Sequence, residues 1–291
     1  MIRKIIILIV VCTLLFVHLV ALSRTTVEKK MLPTGEGLQL ALPPILLKIT
    51  ALEFDGVLSD YLFLETLTYY GGTMDRQEKT RIRDWEWQWF EMTFAAITVL
   101  DPYFLDPYLF GNSILTWEAG RIAEANDLLD KGRRSREWDW MLPFFMGFNQ
   151  FYFLQENGKA SEFLMEAARR KNDDPILASL AAKLSFKERR TETSIQFLEE
   201  MVSRTTDEMV KQQFEIRIHA LKNILFLEQA VKTYRTRFQK WPKNIDSLVI
   251  EGIISQVPKD PYGGSYFLTA EGELKSTTDN RLMPAIRKPT K

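Results

Sequence analysis

A pattern that returns about every 35 residues through the middle of the chain limits its possible folds more than any other feature. Pro107, Gly111, Ala125, Leu129 and Gly132 make the first set. Pro143, Gly147, Ala160, Leu164 and Ala167 repeat it almost position for position, and Pro175, Ser179, Ser194, Leu198 and Met201 make a weaker third copy. Proline fits the first turn of a helix, where its missing N–H has no partner to lose. The small residue a turn later lets a second helix approach, and the alanine of that helix does the same from the other side. Leu129 and Leu164 then fill the groove between the two. A helical pair of this length cannot bury its apolar face alone, so it stacks on its neighbours into a solenoid. The predicted fold is all-α, a helical-hairpin superhelix, and the expected job is binding another protein or a peptide.

Composition narrows the remaining choices. Lysine plus arginine number 38 and aspartate plus glutamate number 38, so no global field attracts nucleic acid. Cys12 is the only cysteine and His18 and His219 the only histidines. Disulfides, cysteine zinc sites and a cysteine nucleophile are thereby excluded from the body. His219, mid-helix among apolar residues, reads as structural, and no cofactor or metal is expected. Aspartate precedes Pro-Tyr at 101, 106 and 260, which reads as capping and turn chemistry rather than a calcium cluster. Asp106 and Asp174 are the expected N-caps.

At the N-terminus, Arg3 and Lys4 precede an apolar run from Ile5 to Leu22. That is just long enough to span a bilayer and longer than the core of most signal peptides. Residues 1–24 are therefore expected to form an uncleaved single-pass membrane anchor; a cleaved signal and a buried soluble helix are the alternatives. Basic residues flank both ends, so charge bias barely decides orientation. A very short basic head favours a periplasmic body. Residues 25–42, with Pro33, Gly35 and Gly37, read as a linker.

The body is expected to span residues 43–240. Pro43-Pro44 opens an apolar helix to about Tyr70, stopped by Gly71-Gly72. A second helix carries Trp85, Trp89, Met92, Ala96 and Val99 at helical spacing and ends at Asp101-Pro102. Trp85 and Trp89 share a face and are expected in the core, while Trp87 points elsewhere, towards solvent or a neighbouring element. Thr205 and Glu208 read as a capping box for a long helix from about Asp207 to Phe238, ended by Trp241-Pro242. Its apolar residues Phe214, Ile218, Leu221, Leu225, Ala230 and Tyr234 are expected to face the last repeat. Residues 241–291 form a separate small tail, with a hairpin of Tyr266–Thr269 and Glu273–Ser276 around Glu271-Gly272.

The alanine, large, small spacing of the repeats resembles the tetratricopeptide repeat. Phe54-Asp55-Gly56-Val57-Leu58-Ser59-Asp60-Tyr61-Leu62 with Tyr69-Tyr70-Gly71, Leu100-Asp101-Pro102 with Tyr108-Leu109-Phe110-Gly111, and Pro143-Phe144-Phe145-Met146-Gly147-Phe148 resemble a family of bacterial membrane-anchored tetratricopeptide proteins. That resemblance implies an N-terminal anchor and repeats, and no particular activity. Trp241-Pro242, Leu248-Val249, Gly252-Ile253 and Pro258-Lys259-Asp260-Pro261-Tyr262-Gly263 resemble the C-terminal part of the major pseudopilins of type II secretion. The N-terminal segment lacks a pilin processing site, so the whole chain does not read as a pilin.

Candidate partner contacts are Trp87, Trp117, Arg133 and Arg134. Basic runs at 131–136, 169–171 and 187–190 fall near expected helix C-termini, where the helix dipole favours cations; the alternative is a basic edge facing acidic lipid or protein. The chain reads as a membrane-anchored scaffold for envelope assembly or secretion. Two other readings stay open: an enzyme acting on an envelope polymer through Glu118, Glu86 or Asp84, and a cytosol-facing membrane adaptor.

Overall fold

The computed structural model describes residues 13–15, 18, 43–74, 82–171, 174–269 and 272–278. The chain divides into two units, Met1–Leu42 and Pro43–Lys291. Most of the first unit, and with it the expected anchor and linker, lies outside the described residues. Among the described residues no helix is long and apolar enough to cross a membrane.

The second unit is predominantly helical. It opens with α1 (Pro44–Ala51), whose first residue is proline. Leu52 then turns left-handed at φ 55° and breaks the chain before α2 (Asp55–Met74). One expected helix is therefore two, and Gly71-Gly72 do not stop the second. Two glycines cost about 2 kcal/mol of helix propensity. Tertiary packing outweighs that cost: Thr73 is buried beyond them, and Tyr69 and Tyr70 lock their rings against Phe90.

α3 (Asp84–Leu100) starts with the Arg83 N–H donating to Glu86 Oε2 at 2.7 Å. Its buried face carries Trp87, Phe90, Phe94 and Ile97. Trp85, by contrast, is 43% exposed and Trp87 only 5%, which reverses the expectation for Trp85 and settles Trp87 as an inward residue. In so aromatic a stretch helical period alone selects no face. Packing against α2 does, because Ser59 Oγ donates to Ile97 O and the Tyr69 ring packs tilted against Trp89.

Three helical pairs follow: α4 (Asp106–Trp117) with α5 (Ile122–Ser135), α6 (Met141–Tyr152) with α7 (Asn157–Lys171), and α8 (Pro175–Lys187) with α9 (Thr191–Arg204). Each helix packs on the next in chain order. A Cβ on Gly111 would lie 2.6 Å from Leu128, and one on Gly147 would lie 2.7 Å from Leu164 and 3.1 Å from the Ala160 carbonyl. The glycines are thus sites of close helix approach. Gly132 serves a different contact, lying against the fully buried Tyr108 ring. The third pair departs from the expected register. Ser194 Oγ donates to Ala182 O at 3.0 Å, so its close approach is at Ala182, about one turn beyond the half-buried Ser179.

Caps show the same mixture. Asp174 accepts from the Ile176 and Leu177 N–H groups as expected. Burial raises its pKa, but those bonds and Lys171 outweigh burial and hold the carboxyl below its ordinary value. Asp106 lies inside the first turn and does not cap; Leu105 holds the cap position. Asp207, not Thr205, caps the 31-residue α10 (Glu208–Phe238), accepting from Met209 and Val210 N–H. The helix ends at left-handed Gln239, two residues before Trp241.

The apolar stripe of α10 serves two cores. Phe214, Ile218 and Leu221 join α7, α8 and α9. Ala230, Val231 and Tyr234 pack instead with Ile245, Leu248, Ile254 and Tyr266 of the tail. That tail contains α11 (Asp246–Ile250) and a hairpin of β1 (Tyr266–Leu268) and β2 (Leu274–Ser276), paired antiparallel as Tyr266 with Ser276 and Leu268 with Leu274. Asp260 ties its turn together: it accepts from Tyr262 N–H at 2.9 Å and from the hydroxyls of Ser276 and Thr278. Burial pushes this carboxyl up, yet the hydrogen bonds win and its pKa lies below the ordinary 3.8. A depressed carboxylate stabilises above its unfolded pKa and loses that contribution as pH falls through its folded value. The Tyr262 amide is therefore expected to lose hydrogen-exchange protection, measured against its intrinsic rate, only below about pH 4, and Asp260→Asn to abolish that acid step.

Candidate functional site

Residues separated by one repeat occupy matching places on successive first helices. From Trp117 the same step leads to Tyr152 and then Lys187; from Ser113 it leads to Phe148 and Lys183. Counted in this way, rings fall on α4 and α6 and lysines at the corresponding places of α8.

The aromatic half is a contiguous platform. Trp117, 59% exposed, lies 4.9 Å from Phe153 and 5.3 Å from Tyr152 between ring centroids, and Phe148 stacks on Tyr152 at 5.3 Å and 8°. Beneath it, Asn149 Nδ2 donates to Asn112 Oδ1 at 2.8 Å and to Asn126 Oδ1 at 2.9 Å. Asn149 and Asn112 are buried, so this network fixes how α4, α5 and α6 meet. At the edge, Tyr70 donates to Glu118 at 2.6 Å; burial, and then this bond, push the Tyr70 hydroxyl up to about 12. It stays a donor at any physiological pH.

The cationic half gathers Lys183 and Lys187 of α8 with Arg217 of α10. Burial, followed by the charges of Lys187 and Arg217, pushes the Lys183 ammonium below its ordinary value.

Of the four residues expected to contact a partner, the structure leaves two on the surface. Trp117 belongs to the platform and Arg134 is exposed, pairing with Asp130 at 2.6 Å. Trp87 is buried against Phe90 and unavailable to a partner. Arg133 is half-buried and held by Asp130 and Glu166. Burial lowers its pKa, and the two carboxylates reverse that and raise it. The basic runs owe much of their presence to such internal work. Arg170 donates to the carbonyls of Arg133, Arg136 and Asp139, and Arg204 to that of Arg169, so each arginine closes the end of the preceding second helix.

Two of the three carboxylates named for the enzyme reading are likewise engaged. Glu86 is buried and accepts from Tyr69 at 2.7 Å as well as from its own helix terminus. Glu118 takes the Tyr70 hydroxyl, and Asp84 is exposed. His219 is exposed rather than enclosed, beside Glu215 and Lys222 in a surface hollow of about 400 Å³. Its neighbours Ile218 and Leu221 hold the inward stripe, which leaves position 219 outside. Among the described residues no group of three or more His, Cys, Asp or Glu side chains could hold a metal ion. Tyr152, Phe153, Lys183 and Arg217 escaped the sequence reading, which has Phe148 only in a family resemblance and Lys187 only in a basic run; a step of 35 residues from Trp117 leads to Tyr152. No protein-family model, curated protein or solved structure matches the chain.

Proposed function

We propose that this protein is a tetratricopeptide-like scaffold, anchored by its N-terminal segment in a bacterial inner membrane with its body in the periplasm, and that it is not an enzyme. Its α4–α6–α8 face takes an acidic segment of a partner protein, and the tail fits a setting in envelope assembly or secretion. The aromatic cluster joining α4 and α6, with lysines at the corresponding places of α8, carries this reading. The exposed Trp117 indole, backed by the half-buried rings of Phe148, Tyr152 and Phe153, suits an apolar anchor residue, and the cations of α8 and α10 supply the complement for carboxylates further along the same segment.

An array of synthetic peptides matched in length and differing in charge and aromatic content tests it. Acidic peptides containing an aromatic residue should bind best, and their binding should weaken as salt rises. Trp117→Ala should weaken that binding on the order of 30-fold, the size of a hot-spot loss of about 2 kcal/mol. Equal binding of basic peptides would remove the proposal. A C-terminal alkaline phosphatase fusion tests orientation: activity in cells is expected, and an inactive but intact fusion would place the body in the cytosol.

A further inference from the structure

The first two helices turn an apolar side away from the rest of the body. In α1, Ile45 is 70%, Leu46 47% and Ile49 65% exposed. Leu52 and Phe54, at the junction, are 76% and 67% exposed. Along α2 the face continues through Val57, Tyr61 and Leu64, each at least 60% exposed and spaced four and three residues apart. The other side of α2 is committed inward, with Ser59, Phe63 and Thr66 buried and Ser59 bonded to the α3 backbone. A run of large apolar groups this long is unusual on a surface that meets only water.

Where the face sits in the chain says what covers it. It begins at residue 45, shortly after the apolar run Ile5–Leu22 and the Pro/Gly-containing stretch that follows. Twenty residues of chain reach at most roughly 70 Å whatever their conformation. A chain held in the bilayer by its first segment therefore keeps α1 within reach of the lipid surface, and little intrinsic affinity is needed for contact. Tyr61 has the amphipathic ring that favours the headgroup level. Glu53, Asp60 and Glu65 are exposed along the same stretch, with Lys48 the one basic residue between Pro43 and Met74. Contact thus draws on apolar burial and not on attraction to anionic lipid.

We propose that the α1–α2 face lies in the headgroup region of the membrane that holds the anchor, docking the base of the scaffold on the bilayer. This rests on the anchor reading given above. The full chain in zwitterionic vesicles tests both parts separately. A nitroxide on the natural Cys12 reports the anchor. Labels on Cys12→Ser/Ile49→Cys and Cys12→Ser/Val57→Cys report the face, and Cys12→Ser/Gln196→Cys serves as the exposed control. At positions 12, 49 and 57 dissolved oxygen should relax the label more than a polar nickel complex does, and at 196 the order should reverse. Positions 49 and 57 behaving like 196, with 12 still lipid-like, would overturn the docking and spare the anchor. A water-exposed label at 12 would remove both. Spin–spin broadening or shielding from both reagents at 49 and 57 would mean that a second copy or another protein covers the face, and would also overturn the proposal. Adding anionic lipid should reduce the oxygen preference at 49 and 57; an increase would contradict the charge argument.

Discussion

Trp87→Ala is expected to cost about 3–5 kcal/mol, while Trp85→Ala, two residues away, changes stability by less than about 1 kcal/mol. Trp87 is 5% exposed and packs 5.6 Å from the fully buried Phe90, which also touches Tyr69, Tyr70, Trp89 and Phe94. Removing the indole leaves a cavity that these large rings cannot collapse to fill. Trp85 is 43% exposed, so its loss chiefly returns one side chain to water. In a body of this size each kcal/mol shifts the melting midpoint by about 2–4 °C, so the Trp87 variant should melt on the order of 10 °C lower. Circular dichroism melts of the two variants side by side decide the matter. Equal shifts would mean that the α3 face is assigned wrongly.

Arg170→Met should be nearly as damaging, at about 3 kcal/mol. Its guanidinium donates to three main-chain carbonyls, one in the last turn of α5 and two in the α5–α6 connection, and to Glu166 at 2.6 Å, with only 13% of the side chain exposed. Methionine keeps much of the length and apolar stem but leaves those acceptors without their charged donor, and Glu166 with one cation fewer. Arg134→Met removes one exposed ion pair and should cost less than about 1 kcal/mol. Urea denaturation checks both. A negligible effect at 170 would mean that the basic runs are not internal fasteners, and would return them to the list of partner contacts.

The first two repeats are legible in the sequence because close helix approach leaves a direct trace. Only a very small residue fits opposite Leu128 or Leu164, so Gly111 and Gly147 mark the crossings. The third crossing uses Ala182 and a Ser194 hydroxyl bond, chemistry that many positions of an alanine-rich helix could have supplied. Counting forward from Pro175 therefore lands a turn early. The tail hairpin was equally readable, since Gly272 at φ 77° closes the loop between two alternating segments.

What sequence could not supply was the choice of face where nearly every residue is apolar or aromatic. Trp85, Trp87 and Trp89 offer a helix several possible inward sides, and the contacts of α2 select one. The aromatic cluster of α4 and α6 and the cations of α8 and α10 were hidden for a different reason. Trp117, Phe148 and Tyr152 lie on two helices and meet only after the pairs stack, and Arg217 joins Lys183 from a helix begun 33 residues after Pro175. The run of arginines was visible, but not that its members bond to the carbonyls of a preceding pair.

The central claim is that the α4–α6–α8 face holds a partner protein, and site-specific photocrosslinking in living cells tests it most directly. A photoreactive phenylalanine analogue replaces Ser113, exposed one turn before Trp117, or Gln196, exposed on α9. The account predicts a discrete adduct from position 113 that disappears in the Trp117→Ala or Lys183→Glu background, and none from 196. An adduct from 196 alone, or one from 113 that survives both substitutions, would contradict it.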